Sequence, residues 1–261
     1  MREFDAEYLR TTREGMWAES REALSDLDLA NREQVLDVGC GTGVLTRVLR
    51  EECPGTVVGL DADRRLLEAV SPPVLRGDAT RLPVREDAFD LVVCQALLVN
   101  LPDPAAAIRE FARVSRDAVA AIEPDNSAVS IESTVDAESP LAARARRLYL
   151  DGVATDATLG GVRGQFEDVG LSDIEVTRYD HVRIVEPPYS ERAVEAARRK
   201  ASGAGLAADR EQILAGEATR EEYDDLRQDW RAMGREVVDQ MQDREYRHRE
   251  TVPFFVTVGR V

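Results

Sequence analysis

Six residues in the first third of the chain have the types and spacing to do chemistry: Asp37, Gly39, Gly41, Gly43, Asp61 and Asp78. The segment Val35-Leu36-Asp37-Val38-Gly39-Cys40-Gly41-Thr42-Gly43 joins a short apolar run to a turn with glycine at every second position. Such a turn lets backbone approach a ligand with no side chain in the way. Val44 to Glu52 follows with Val44, Leu45, Val48 and Leu49 on one helical face. A strand, a glycine turn and a helix N-terminus form a nucleotide-type pocket. Asp61 lies 22 residues after Gly39 at the end of the next apolar run. A carboxylate there can accept both hydrogen bonds of a ribose diol, as it also can in dinucleotide sites. Gly77-Asp78-Ala79 closes a third run, where a carboxylate can accept from an exocyclic adenine amine while the adjacent amide donates to a ring nitrogen. The glycine pattern is Gly-x-Gly-x-Gly, whereas a dinucleotide site asks for Gly-x-Gly-x-x-Gly. Asp37 would repel a pyrophosphate and tolerate a cationic sulfonium bearing an α-amino group.

These residues need a frame that brings scattered strand ends together. Apolar runs at 34–38, 56–60, 74–76, 89–94 and 118–122 alternate with helical patterns. Asp63 is placed to cap one helix, which Ser71-Pro72-Pro73 stops. Pro102-Asp103-Pro104 opens another, whose apolar stripe is Ala107, Ile108, Phe111 and Val114. This alternation predicts a parallel sheet with helices on both faces and ligands beyond the carboxyl ends of its strands. Those ends carry Gly39 to Gly43, Asp61, Asp78, Gln95 and Glu123.

Later segments read as helices at 140–151 and 161–169, strand six at 174–185 and a closing strand seven at 252–258. Helical patterns at 190–201, 207–215 and 219–246 make the stretch between those strands too long for an ordinary connection. The expected organisation is a helical lid over 1–30, a core over 31–185 and 251–261, and a helical cap inserted at 186–250 and lying above the strand ends. Residues 4–27 read as helical.

Composition excludes several classes. With 261 residues there is room for one sizeable core and an accessory subdomain. A net charge of −16 argues against a nucleic-acid partner. No apolar run approaches membrane-spanning length and no signal-peptide pattern opens the chain, so a cytoplasmic protein without a membrane partner is expected. Cys40, Cys53 and Cys94 read as buried free thiols; neither a disulfide framework nor a metal site is expected. Lys200 is the only lysine; every other basic residue apart from the histidines is arginine. An acidic, lysine-poor surface fits adaptation to salt, and a GC-rich genome favouring arginine codons accounts for the same bias.

The motifs in order, Val35–Gly43, Val58-Gly59-Leu60-Asp61, Gly77-Asp78-Ala79, Phe89-Asp90-Leu91-Val92-Val93-Cys94 and Leu101-Pro102-Asp103-Pro104, resemble class I S-adenosylmethionine-dependent methyltransferases of the small-molecule group. The resemblance covers about residues 33–125. It implies a Rossmann-like, seven-stranded, mostly parallel α/β sheet with an antiparallel last strand. It implies S-adenosyl-L-methionine as cofactor and a small-molecule acceptor, methylated by in-line displacement. It also implies site roles. Gly39, Cys40, Gly41, Thr42 and Gly43 approach the methionine part, and Asp37 supports the turn or the amino group. Asp61 takes the ribose, Ala62 packs on the adenine, and Asp78 and Ala79 bind the adenine edge. Cys94 and Gln95 lie near the amino group and the methyl.

The acceptor side is less defined. Many relatives have two histidines before Leu-Pro where this chain has Val99 and Asn100, so a relay through that pair is absent. Glu186-Pro187-Pro188-Tyr189 resembles an amine-holding motif but follows strand six rather than strand four. Tyr8, Trp17, Asn100 and Tyr189 are candidates to line the acceptor pocket, the alternative for Tyr8 and Trp17 being ordinary helix packing. Arg144, Arg146 and Arg147 could meet an anionic acceptor or form a solvated face. Glu123 is the candidate general base, facing the pocket edge; His181 and His248 read as surface or packing residues. Oligomeric state is left open. A cofactor-binding regulator without catalysis and an NAD(P)-dependent oxidoreductase stand as the alternatives.

Overall fold

The computed structural model describes residues 16–19, 21–155 and 159–261. A helical turn α1 (Met16–Glu19) leads to two 3-10 segments, Arg21–Leu27 and Leu29–Asn31. Of the stretch read as helical over 4–27, the described part is this short α-helix followed by 3-10 helix. Asp28, at φ 51°, breaks the path between the 3-10 segments. Tyr8 lies outside the described residues.

From Gln34 the chain alternates as the apolar runs demand: β1 (Gln34–Val38), α2 (Val44–Glu52), β2 (Thr56–Asp61), α3 (Arg64–Leu67), β3 (Val74–Arg76), β4 (Phe89–Gln95), α4 (Pro104–Val114) and β5 (Ser115–Pro124). The chain continues through β6 (Ser130–Ser133), α5 (Glu138–Asp151), α6 (Arg163–Asp168) and β7 (Ser172–Val185). Helices α7 (Glu191–Ser202), α8 (Ala204–Ala208), α9 (Arg210–Ile213) and α10 (Arg220–Gln242) precede the final strand β8 (His248–Arg260). Asp63 accepts from the Arg65 amide, so the expected cap is made, and Asp103 caps the helix opened by Pro102-Asp103-Pro104 by accepting from the Ala106 amide. The stripe Ala107, Ile108, Phe111 and Val114 is fully buried, which stabilises by about 1.5–3 kcal/mol for each larger side chain.

The strands join in the order β3-β2-β1-β4-β5-β8-β6, with β7 paired to β8. The pairs among β1 to β5 are parallel and β5–β8 is antiparallel. The sheet thus has eight strands, not seven. The additional strand, Ser-Ile-Glu-Ser, exists because β8 begins four residues earlier than its apolar run, and His248 to Thr251 pair with Ser133 to Ser130. The stretch read as one helix over 207–215 is split at Asp209 into α8 and α9.

The described residues fall into two compact units. One draws on Met1–Asp125, Thr158–His181 and Pro253–Val261. Its core lies around Leu36, Val92, Ile108, Phe111, Val119 and Phe166. The other draws on Asn126–Ala157 and Val182–Val252, a wider set than the 186–250 insertion expected from length. Helix α5 belongs to it because Leu141, Ala145, Leu148 and Tyr149 pack with Leu206, Ile213, Tyr223 and Leu226. A second cluster there joins Val135, Ala197, Met233, Val237, Met241 and Tyr246. No helix among the described residues is long and apolar enough to cross a membrane.

Candidate functional site

The glycine turn is held by the strand beside it. The Gly39 and Cys40 amides both donate to the Leu60 carbonyl, at 2.7 and 2.9 Å. Gly39, Gly41 and Gly43 all have left-handed φ, at 71°, 55° and 76°. A Cβ on Gly39 would lie 2.8 Å from Leu97 Cδ1, and one on Gly43 would lie 2.9 Å from Val70 Cγ1. The turn is therefore both conformationally reserved for glycine and packed from behind.

Asp37 is buried and accepts from Thr46 Oγ1 at 2.6 Å, which ties the end of β1 to the first turns of α2. Thr46 escaped the sequence reading; its hydroxyl inside the apolar face of α2 was the available signal. Asp61 Oδ2 accepts from the Gly41 amide at 2.8 Å, and Oδ1 accepts from the Asp63 amide at 2.8 Å. One carboxylate thus fastens the glycine turn to the β2 end. Each oxygen retains acceptor capacity, since a carboxylate has about four acceptor sites.

Asp78 is exposed and uses Oδ1 alone, accepting from the Thr80 amide and hydroxyl, each at 2.8 Å. Those bonds hold its carboxyl below the usual range, so it stays anionic. Ala79 beside it is buried, while Ala62 is exposed at the β2 end. Within the turn, Thr42 Oγ1 is buried and has no hydrogen-bond partner among the described residues. An unpaired buried hydroxyl costs about 1–3 kcal/mol, and a bound polar ligand would relieve it.

All three cysteines are buried free thiols. Burial, then the Asp37 carboxylate, pushes the Cys40 thiol well up, so it is not a reactive thiolate. Cys94 is likewise raised by burial and by Glu123. Gln95, at the end of β4, is buried; its Oε1 accepts from Trp17 Nε1 at 3.4 Å, and its Nε2 lies 3.0 Å from Met16 Sδ. Trp17 is thus brought to Gln95, a pairing across 78 residues with no local pattern to announce it.

Glu123 does not face a pocket edge. It is fully buried at the end of β5. Oε1 accepts from the Leu97 and Leu98 amides at 3.0 and 2.9 Å, Oε2 from Val99 at 3.3 Å, and the Cys94 thiol lies 3.7 Å from Oε1. Burial raises its carboxyl to about 7 against the pull of those three amides. Its oxygens are committed to backbone, which removes it as a base on an acceptor. Asn100 also turns inward, its Nδ2 donating to the Ala96 carbonyl at 2.9 Å. Ala96 itself sits at φ 47°, a conformation costing a non-glycine residue roughly 1–2 kcal/mol.

Of the remaining candidates, all but His181 belong to the second unit's own packing. Tyr189 donates to the Tyr246 carbonyl at 3.0 Å and joins the cluster around Met233 and Val237. Arg146 donates to the Val129 carbonyl at 2.9 Å and approaches Glu250 at 3.8 Å. His248 places Nδ1 3.3 Å from Glu138 Oε1. His181 is buried on β7 in the first unit. Glu138 is the centre of a buried cluster that sequence reading missed: it also pairs with Lys200 and accepts from Ser133 Oγ at 2.5 Å and from the Tyr246 hydroxyl at 2.9 and 3.0 Å. The solitary lysine was the available signal.

Residues 36–121 match the family described as Methyltransferase domain. A demethylmenaquinone methyltransferase of Lactiplantibacillus plantarum is 36% identical over 36% of this chain and 45% of its own length. Methyltransferase GfsG of Streptomyces halstedii is 33% identical over 34% of this chain and 36% of its own. The match thus spans less than half the length of these curated relatives. The structure of the YcgJ protein from Bacillus subtilis is similar in fold, with a TM-score of 0.52 at 16% identity over 92% of this chain and 98% of that one. Residues 36–121 thus match a methyltransferase domain, and the fold around them is similar to that of the YcgJ protein.

Proposed function

We propose that the protein binds S-adenosylmethionine across the carboxyl ends of β1 to β3 and transfers its methyl group to a small-molecule acceptor. The observation that carries this reading is the pair of acidic strand ends, Asp61 and Asp78, beside a turn of three left-handed glycines that Asp61 itself fastens. The unpaired Thr42 hydroxyl fits a polar ligand in that turn. Asp61 has acceptor sites left for a ribose diol, and Asp78 Oδ2 is open to an amine. A diphosphate is disfavoured by two carboxylates, Asp37 and Asp61, that act on the same turn. Relatives whose names specify demethylmenaquinone support a small-molecule acceptor.

The sulfonium supplies an already activated methyl group. The chain's contribution is binding, alignment and exclusion of water. Gly39 to Gly43 bring backbone close, Asp61 and Asp78 fix the adenosine end, and Gln95 with Trp17 closes the β4 end against water. Alignment of this kind is worth roughly 7–11 kcal/mol in favourable cases. No side chain in the described site is free to act as general base, so acceptors that are nucleophilic without losing a proton beforehand fit best.

Calorimetry with S-adenosylhomocysteine and NAD tests the reading. Saturable binding of the first and not the second is expected; NAD binding alone overturns it. A regulator that binds the cofactor without turnover is the second reading, favoured by the burial of Glu123 and by Val99 and Asn100 in place of a histidine pair. Turnover of any acceptor rules it out.

A further inference from the structure

We propose that Glu123 is a positioning residue for the cofactor turn, and that cofactor affinity therefore falls as the protein is acidified through neutral pH. The inference rests on the reading above that the glycine turn holds S-adenosylmethionine.

The link runs through three contacts in the first unit. Both oxygens of Glu123 grip the amides of Leu97, Leu98 and Val99. Those amides belong to the turn leaving β4, which starts at left-handed Ala96 and is closed by Asn100 on the Ala96 carbonyl. Leu97 from the same turn packs against Gly39, filling the place of its missing Cβ at 2.8 Å. A shift of the 97–99 backbone thus moves the side chain that backs the first glycine. Among the described residues the turn has no grip of similar strength elsewhere: Ala96 donates to the Ile122 carbonyl at 2.9 Å, and its other bonds are internal.

An anionic carboxylate accepts from all three amides. A proton on either oxygen converts one acceptor into a donor facing an amide, and the 3.3 Å bond from Val99 is the weakest to defend. Burial places this titration at about 7. Among the described residues the groups around Glu123 leave it to titrate alone. Cys94 on β4 is a thiol pushed up by burial, Asp37 on β1 bears on Cys94, the 97–99 turn presents only amides, and the register partner on β8 is Phe255.

Acidification has opposite effects on folding and binding. A carboxyl raised from 4.5 to about 7 in the folded protein costs nothing below 4.5 and costs stability increasingly as pH rises through that window. Going from pH 8.5 to 6.0 this group therefore stabilises the fold while it loosens the turn. A carboxylate without a link to the glycine turn would move stability and leave affinity unchanged.

The test is calorimetric binding of S-adenosylhomocysteine by the full chain from pH 6.0 to 8.5, with thermal unfolding in the same buffers. Wild type is expected to bind about five- to tenfold more weakly at pH 6.0, the worth of about one hydrogen bond, without a drop in thermal midpoint. Glu123→Gln is expected to bind at the low-pH level throughout, and Leu97→Ala to be weak and flat because the link to Gly39 is cut. Both variants keep His181 and His248, so a histidine origin would leave their profiles like wild type and overturn the proposal. A flat wild-type profile overturns it without any variant. Absence of binding at every pH instead overturns the cofactor reading.

Discussion

Replacing Asp61 by alanine removes two things at once. The carboxylate holds the Gly41 and Asp63 amides at 2.8 Å each, and by the proposed function it accepts two hydroxyls of the ribose. Hydrogen bonds to a charged group contribute about 1.5–3 kcal/mol each. Losing two of them to the ligand predicts about 3–6 kcal/mol, or roughly two to four powers of ten in dissociation constant. The loss of the turn's own fastening adds to that figure. The fold should survive, because the Gly39 and Cys40 amides still bond the Leu60 carbonyl and the strand register does not depend on Asp61. Calorimetry with S-adenosylhomocysteine reads the affinity, and thermal unfolding reads the fold. Asp61→Asn separates the contributions: whichever way it turns, its amide nitrogen would confront either the Gly41 or the Asp63 amide donor to donor, so it should fail nearly as badly as alanine despite its matching shape. Affinity within threefold of wild type in either variant, with the fold intact, would refute the ribose assignment.

Gly39→Ala should cost both stability and binding, since its φ of 71° is strained for alanine and the new Cβ meets Leu97; an unchanged melting temperature would count against the packed turn. Thr42→Val should keep or raise the melting temperature yet bind S-adenosylhomocysteine about tenfold less well, because the hydroxyl has no partner among the described residues; unchanged affinity would mean that the ligand does not relieve it. Lys200→Met should destabilise by about 3 kcal/mol by leaving buried Glu138 without its ammonium, as read by denaturant titration. Glu138 is held at about 2, against burial, by His248 and Lys200. Its depressed value contributes stability that is full above about 4.5 and lost as pH falls towards 2; acid unfolding of Glu138→Gln should show a shallower loss across that window.

The first five strands were readable because each is a short apolar run, and all but β4, which ends on Gln95, are closed by glycine, aspartate or proline. The caps at Asp63 and Asp103 were readable for the same local reason. What escaped depends on pairing between distant residues. Ser130 to Ser133 has no apolar pattern and becomes a strand only because β8 extends to meet it. The Trp17–Gln95 contact joins residues whose separation carries no periodic signal. Glu123 lies at a strand end, where the pattern allows an outward-facing side chain. Three amides of the turn leaving β4 draw it inward instead. Tyr189 was placed by a motif likeness, but its ring is needed by its own unit's core.

The ion pair of Lys200 with Glu138 makes the second unit a self-reporting one. A protease that cleaves only after lysine has a single target in the whole sequence. That target lies within α7, its ammonium engaged with Glu138 and its side chain only 24% exposed. Cleavage into two fragments thus reports the opening of α7, by itself or with the whole fold, and where reclosing outpaces cleavage the rate of digestion follows that opening equilibrium. Amine-directed labels read the same event from the other side, and a fluorophore on Lys200 would mark molecules in which the helix has come undone.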